Sequence, residues 1–108
     1  YLRGSSKSQV NIWCWPIGSG EVYGYRTDAS MPPDVRAGVT PRTVADQPIG
    51  QWNRFHITMK GDRLTVVLNG QTVLENALLP GVNPEGPIAL QMHGNPIEFA
   101  NIYIKPLN

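Results

Sequence analysis

Phe55-His56-Ile57-Thr58-Met59-Lys60-Gly61-Asp62-Arg63-Leu64-Thr65-Val66-Val67-Leu68-Asn69-Gly70-Gln71-Thr72-Val73-Leu74 is the stretch that decides the fold class. Phe55, Ile57 and Met59 alternate with His56, Thr58 and Lys60, and Leu64, Val66 and Leu68 alternate with Arg63, Thr65 and Val67. A period of two places the apolar set on one face of a strand and the polar set on the other. Gly61-Asp62 supplies a tight turn between the first two runs. Asn69-Gly70 is the strongest hairpin signal in the chain, because a type I′ turn needs positive φ at both central residues, and residues 71–74 read as the returning strand. Three strands thus meander in sequence.

The same reading extends outward. Beyond a Pro- and Gly-rich loop at 79–86, residues 87–93 and 97–104 read as two further strands joined by a turn at Gly94-Asn95-Pro96. Ile97 and Phe99 are odd-numbered whereas Ile102 and Ile104 are even, a phase change that predicts a β-bulge near Ala100-Asn101. Toward the N-terminus, residues 9–15 (Gln-Val-Asn-Ile-Trp-Cys-Trp) place Val10, Ile12 and Cys14 on one face and Gln9, Asn11, Trp13 and Trp15 on the other, and Pro16 ends the run. A short strand is expected at 21–25, inside a region at 17–49 that otherwise reads as ordered loop. No stretch of ten residues shows a 3.6-residue period free of Gly and Pro. The expectation is an all-β fold, an antiparallel β-sandwich or jelly-roll, forming one domain over residues 1–108.

Composition narrows the function. Of 108 residues, 41% are hydrophobic and 16% charged, and the net charge is +1. The charged share is well below the usual level of about 25%, which argues against a disordered tail and against a charge-driven nucleic-acid binder. The eleven Gly and ten Pro follow no Gly-X-Y period and read as punctuation between strands. One cysteine, Cys14, forms no intrachain disulfide. No run is long enough to span a membrane, so neither a membrane nor a nucleic acid is an expected partner. No metal-spaced Cys pair, His-Glu-x-x-His, phosphate-binding Gly loop or Gly-x-Ser-x-Gly occurs, so any chemistry has to be assembled across strands.

Several residues are candidates for that assembly. In Leu90-Gln91-Met92-His93-Gly94, alternation puts Gln91 and His93 on one face, where an amide beside an imidazole either holds sugar hydroxyls or bonds a neighbouring loop. Trp13 and Trp15, flanked by Gln9 and Asn11, either form a carbohydrate platform or pack under other structure, since indole stacks on the apolar face of a pyranose. Arg3 is a candidate for holding an oxyanion or keto oxygen, or else caps the surface. His56 lies between Arg54 and Thr58 on a solvated face. Glu21, Asp28 and Asp34, in or near the long connection, are where an acid or base would be carried to a sandwich face. Trp52 and Asn53 read as structural.

Taken together, Gly50-Gln51-Trp52-Asn53-Arg54-Phe55, Lys60-Gly61-Asp62-Arg63-Leu64, Leu68-Asn69-Gly70, Gly86-Pro87-Ile88-Ala89-Leu90-Gln91-Met92-His93-Gly94 and Phe99-Ala100-Asn101-Ile102-Tyr103-Ile104-Lys105 resemble the 3-keto-disaccharide hydrolase domain family. Tyr1-Leu2-Arg3-Gly4 and residues 9–15 resemble that family's central strands. The resemblance implies a concanavalin A-like jelly-roll in an exported bacterial protein, periplasmic or extracellular, that cleaves glycosides already oxidised at C3. It implies that His93 and Gln91 lie on the concave substrate face, Arg3 at the polarised oxygen, and Gln9, Asn11, Trp13 and Trp15 along the sugar. Many relatives carry a second histidine at the position of Met92. Relatives also have further strands before the Arg3 motif, so the chain is expected to be the C-terminal part of the family domain, completed by the rest of its natural protein or by a partner chain or second copy. No cofactor is expected; a structural Ca²⁺ suits such sandwiches, although no acidic cluster has the density to predict one. The alternatives to a hydrolase or lyase are a non-catalytic carbohydrate-binding jelly-roll and a structural module of another β protein.

Overall fold

A computed structural model describes residues 1–5, 7–12, 16–48, 50–91 and 97–105. Among these, the regular structure is a short helix α1 (Tyr23–Arg26), a second helix α2 (Pro33–Gly38), and three strands, β1 (Phe55–Lys60), β2 (Arg63–Leu68) and β3 (Gln71–Leu78). The strands form one antiparallel sheet in the order β1-β2-β3.

The meander follows the sequence expectation. Phe55, Ile57 and Met59 stand opposite Leu68, Val66 and Leu64, so the apolar faces of β1 and β2 coincide. Asn69 and Gly70 both take positive φ, 52° and 81°, as a type I′ turn demands. At the other turn only Gly61 does so, at 60°, the pattern of a type II′ turn with Gly first. As the central strand, β2 carries the most enclosed side chains: Leu64, Val66 and Leu68 are fully buried, while Ile57 on the β1 edge is 38% exposed.

β3 runs four residues beyond the expected end at Leu74, because two register shifts against β2 absorb extra residues. Val73 and Leu74 are consequently buried side by side. At the second irregularity Asn76 adopts φ 51°, and its backbone N–H donates to Thr65 Oγ1 at 3.0 Å, a side-chain substitute for the missing ladder bond.

The helices and the segment before them cover this sheet. α2 packs on β3, and α1 packs on α2. Val22, Tyr25, Val35, Val39 and Ala45 join the sheet residues in one core. Gly20, at φ 111°, lies against the sheet, where a Cβ would approach Val73 Cγ2 to 2.8 Å. Glycine is required there both by the dihedral and by the contact.

Four sequence expectations are corrected. Residues 23–26 of the segment expected as a strand at 21–25 form α1, in which Arg26 N–H donates to Val22 O at 2.9 Å and Thr27 N–H to Tyr23 O at 3.0 Å. Gly24 lets this turn sit on Lys7, whose carbonyl oxygen would be 2.7 Å from a Cβ at that position. The region at 17–49 also holds α2, where Pro33 occupies the first turn and its missing N–H costs nothing. The described part of 9–15 makes only an isolated bridge, Val10 to Val22. Among the described residues, 87–91 and 97–105 enter no ladder, although Asn101 has φ 54° at the expected phase change. Cys14 and the turn at Gly94-Asn95-Pro96 lie outside the described residues.

Candidate functional site

The N-terminal segment folds back on itself and then lies along residues 86–91. Arg3 and Gly4 take φ 55° and 72°, turning the chain so that Leu2 N–H donates to Ser8 O at 3.1 Å. Ser8 is buried, and its hydroxyl donates to Leu2 O at 2.5 Å, which closes the loop. Across the gap Tyr1 and Ala89 exchange backbone hydrogen bonds at 3.0 and 3.2 Å, and Gly4 N–H donates to Pro87 O at 2.8 Å. A Cβ on Gly86 would fall 2.4 Å from Arg3 O, so the two backbones can meet this closely only at a glycine.

Two of the sequence-predicted substrate residues come together at the end of this pairing. Gln9 Nε2 donates to Gln91 Oε1. The bond fixes the two amides side by side at this end of the pairing. His93 lies two residues beyond Gln91. His93, Trp13 and Trp15 lie outside the described residues.

Arg3 is engaged with backbone. Its Nη1 donates to Gly61 O at 2.5 Å and to Asn83 O at 3.1 Å, while Asn83 Nδ2 donates to Arg3 O at 3.0 Å. The side chain therefore ties the N-terminal turn to the β1-β2 turn and to the 79–86 loop. A guanidinium has five N–H groups, and these contacts use one nitrogen.

Asn11 faces the interior, 6% exposed. Its Nδ2 donates to Glu21 Oε1 at 3.1 Å, and Arg26 Nε donates to the other carboxylate oxygen. Glu21, 2% exposed, thus meets the requirement that a buried charge be paired and hydrogen-bonded. Asp28 accepts from Lys7 Nζ at 2.8 Å and from the Ser30 hydroxyl and N–H at 2.6 and 2.9 Å, and these donors, Lys7 foremost, hold its carboxyl well below the usual carboxylate range. Lys7 also stands over the Tyr25 ring, 4.8 Å from its centre. Burial pushes the Tyr25 phenol up, against the opposing pull of Lys7, and its hydroxyl donates to Pro80 O at 2.9 Å. Asp34 lies in the first turn of α2, and His56 is exposed. Among the described residues no group of three or more His, Cys, Asp or Glu could hold a metal ion, and no helix is long and apolar enough to cross a membrane.

The sequence reading missed an exposed cluster. Asn53 is structural as expected, its Oδ1 accepting from Gln47 N–H and Asn69 Nδ2, but the neighbouring Trp52 is 64% exposed and shares a surface depression with Gly50, Gln51 and Glu98. No local pattern marks the cluster, because residues 51–54 precede β1 and Glu98 comes from a distant segment of the chain.

Residues 4–105 match the family described as the 3-keto-alpha-glucoside-1,2-lyase-like domain. The chain belongs to that family. Membership in the 3-keto-alpha-glucoside-1,2-lyase-like family agrees with the resemblance carried by the Trp52, Asn69-Gly70 and Gln91 motifs, and it supports a carbohydrate-related function in a hydrolase- or lyase-like family. No curated protein and no solved structure matches the chain.

Proposed function

We propose that this domain acts on glycosides oxidised at C3, and the observation that carries the reading is the family match across residues 4–105. A 3-keto group acidifies the hydrogen on C2, because the carbanion left behind is an enolate. A base takes that proton, the C1–O bond breaks, and the leaving group departs with the electron pair and is protonated. Water then adds across the C1–C2 double bond to give the free 3-keto sugar. Elimination across these two carbons is the step that the family's "1,2-lyase" description denotes.

In this reading His93 carries the proton, and Gln91 with Gln9 holds hydroxyls flanking the reacting carbons. Trp13 and Trp15 stack on the ring, and Arg3 contributes its remaining guanidinium N–H groups to the developing enolate oxygen. Asn11, bonded to Glu21, anchors the segment that leads in sequence to the tryptophans. The described sheet is one part of a two-sheet jelly-roll; Ile97, Phe99, Ile102 and Ile104, which stand 38%, 38%, 58% and 70% exposed, support that reading because such side chains normally face a second layer. An exported, periplasmic or extracellular setting fits an enzyme of glycan breakdown.

NMR-monitored turnover of a 3-keto-glucoside beside its unoxidised parent tests the proposal. Wild-type protein should consume the keto sugar alone. His93→Ala should lower turnover by about 10²-fold or more while sugar binding persists, the usual scale for a lost acid or base. Undiminished turnover in His93→Ala removes His93 from the mechanism, and binding without turnover in the wild type favours a lectin-like role.

A further inference from the structure

We infer that Trp52, Gln51 and Glu98 form a second carbohydrate subsite, one that takes a single neutral pyranose ring. The inference rests on the carbohydrate reading of the family but uses none of the residues placed in the reaction. Trp52 is 64% exposed, which leaves a large indole surface hydrated at a cost of about 25 cal/mol per Å² of apolar area. Its backbone is nevertheless well fixed. Gly50 turns the chain at φ 93°, Gln51 N–H donates to Pro48 O at 3.0 Å, and Asn53 next to it is held by Gln47 and by Asn69 of the hairpin turn. A rigid turn therefore presents the ring to solvent, as stacking on the C–H face of a sugar requires.

Polar groups of the right kind converge on that ring. Glu98 arrives from a segment 46 positions away in sequence to line the same depression, with Gln51 beside it. Among the described residues neither the Gln51 amide nor the Glu98 carboxylate has a hydrogen-bond or ion-pair partner. A carboxylate accepts from two vicinal hydroxyls, and the amide both donates and accepts. The depression measures about 240 Å³. That is below the roughly 300–1,000 Å³ of sites that engulf a ligand, so it suits one ring of a longer glycan held from one side. The negative charge selects neutral sugars and disfavours uronic acids.

The test uses ¹⁵N-labelled protein, with Trp52→Phe serving only to identify the Trp52 indole N–H resonance among the three tryptophans. Titration with cellobiose should shift that resonance with an affinity on the order of millimolar, whereas methyl β-glucuronide should leave it unmoved. Glu98→Gln should weaken cellobiose about five-fold and admit the glucuronide. A Trp52 resonance indifferent to cellobiose overturns the subsite, and equal response to both sugars overturns the role of Glu98. The catalytic reading is tested apart from this, by turnover of the 3-keto-glucoside: turnover with a silent Trp52 resonance refutes the subsite alone, and a responsive Trp52 without turnover refutes the catalytic reading alone.

Discussion

Residues 55–79 and residues 84–105 have the same kind of sequence, apolar side chains alternating with polar ones, and end in opposite conditions. In the first, Leu64, Val66, Leu68, Val73, Leu74 and Leu79 are fully buried; in the second, Ile88, Leu90, Ile102 and Ile104 are all more than half exposed. The difference lies in where each strand's partner is found. Two-residue turns at Gly61-Asp62 and Asn69-Gly70 bring β1, β2 and β3 together at almost no loop-closure cost, so alternation becomes a ladder at once. Among the described residues the C-terminal segment enters no ladder. Its contact with the N-terminal segment includes the backbone bonds between Tyr1 and Ala89, 88 positions apart, and from Gly4 to Pro87, and the side-chain bond from Gln9 to Gln91. Alternation thus specifies a face, whereas a nearby turn specifies what that face meets.

The comparison can be broken most sharply at its two extremes. Leu68→Ala should cost about 2–5 kcal/mol in urea unfolding, since the side chain is fully buried in the core on the central strand. Ile104→Ala, the same kind of truncation at a 70% exposed position, should change stability by less than about 0.5 kcal/mol. Equal effects would mean that the C-terminal segment is packed in solution.

An intermediate effect is expected at the turn that makes the first region local. Asn69 holds a left-handed backbone and binds Ala45 O at 2.7 Å, Asn53 Oδ1 at 2.9 Å and, through its own Oδ1, Arg54 N–H at 2.9 Å. Asn69→Ala should lose about 2 kcal/mol, and Asn69→Gly, which removes the dihedral strain but not the loss of side-chain bonds, about half of that. Thermal melts of the two variants separate the contributions; a fully stable Asn69→Ala would show that the side chain is dispensable.

The smallest effect concerns Asp28, which attaches the N-terminal segment through Lys7. Its folded-state pKa lies below the unfolded value, so the stabilisation it brings is fully present above the unfolded pKa of about 4 and is lost as the pH falls through the folded value. The stability gap between wild type and Asp28→Asn, measured in urea at fixed ionic strength, should therefore shrink between pH 5 and pH 2. A gap that widens toward acid would contradict the ion pair.

What was legible in the sequence follows the same division. The meander and both turns were readable because their determinants, a period of two and Gly or Asn at positive φ, lie within a few residues of one another. α1 and α2 were not, since helices of four and six residues carry less than two turns of periodicity, and Gly24, Pro32 and Pro33 mimic loop punctuation. Gln9 and Gln91 were named as candidates from their faces, but their meeting depends on the close approach at Gly86, which no local pattern encodes. Asn11 shares a parity with Gln9 but faces inward, because residues 9–12 form a bridge and not a full strand.

The two register shifts in β3 have a colloidal consequence. β3 is an edge of the described sheet, and an edge strand with regular spacing is a template on which further copies can stack. Here the shifts divide the eight residues into short pieces, and Val73 O is already taken by Arg42 N–H at 2.9 Å. A cross-β seed needs about six consecutive residues in register. With no such run available along this edge, growth of a fibril from β3 would first require the bulges to be ironed out, and the left-handed Asn76 and its bond to Thr65 stand against that.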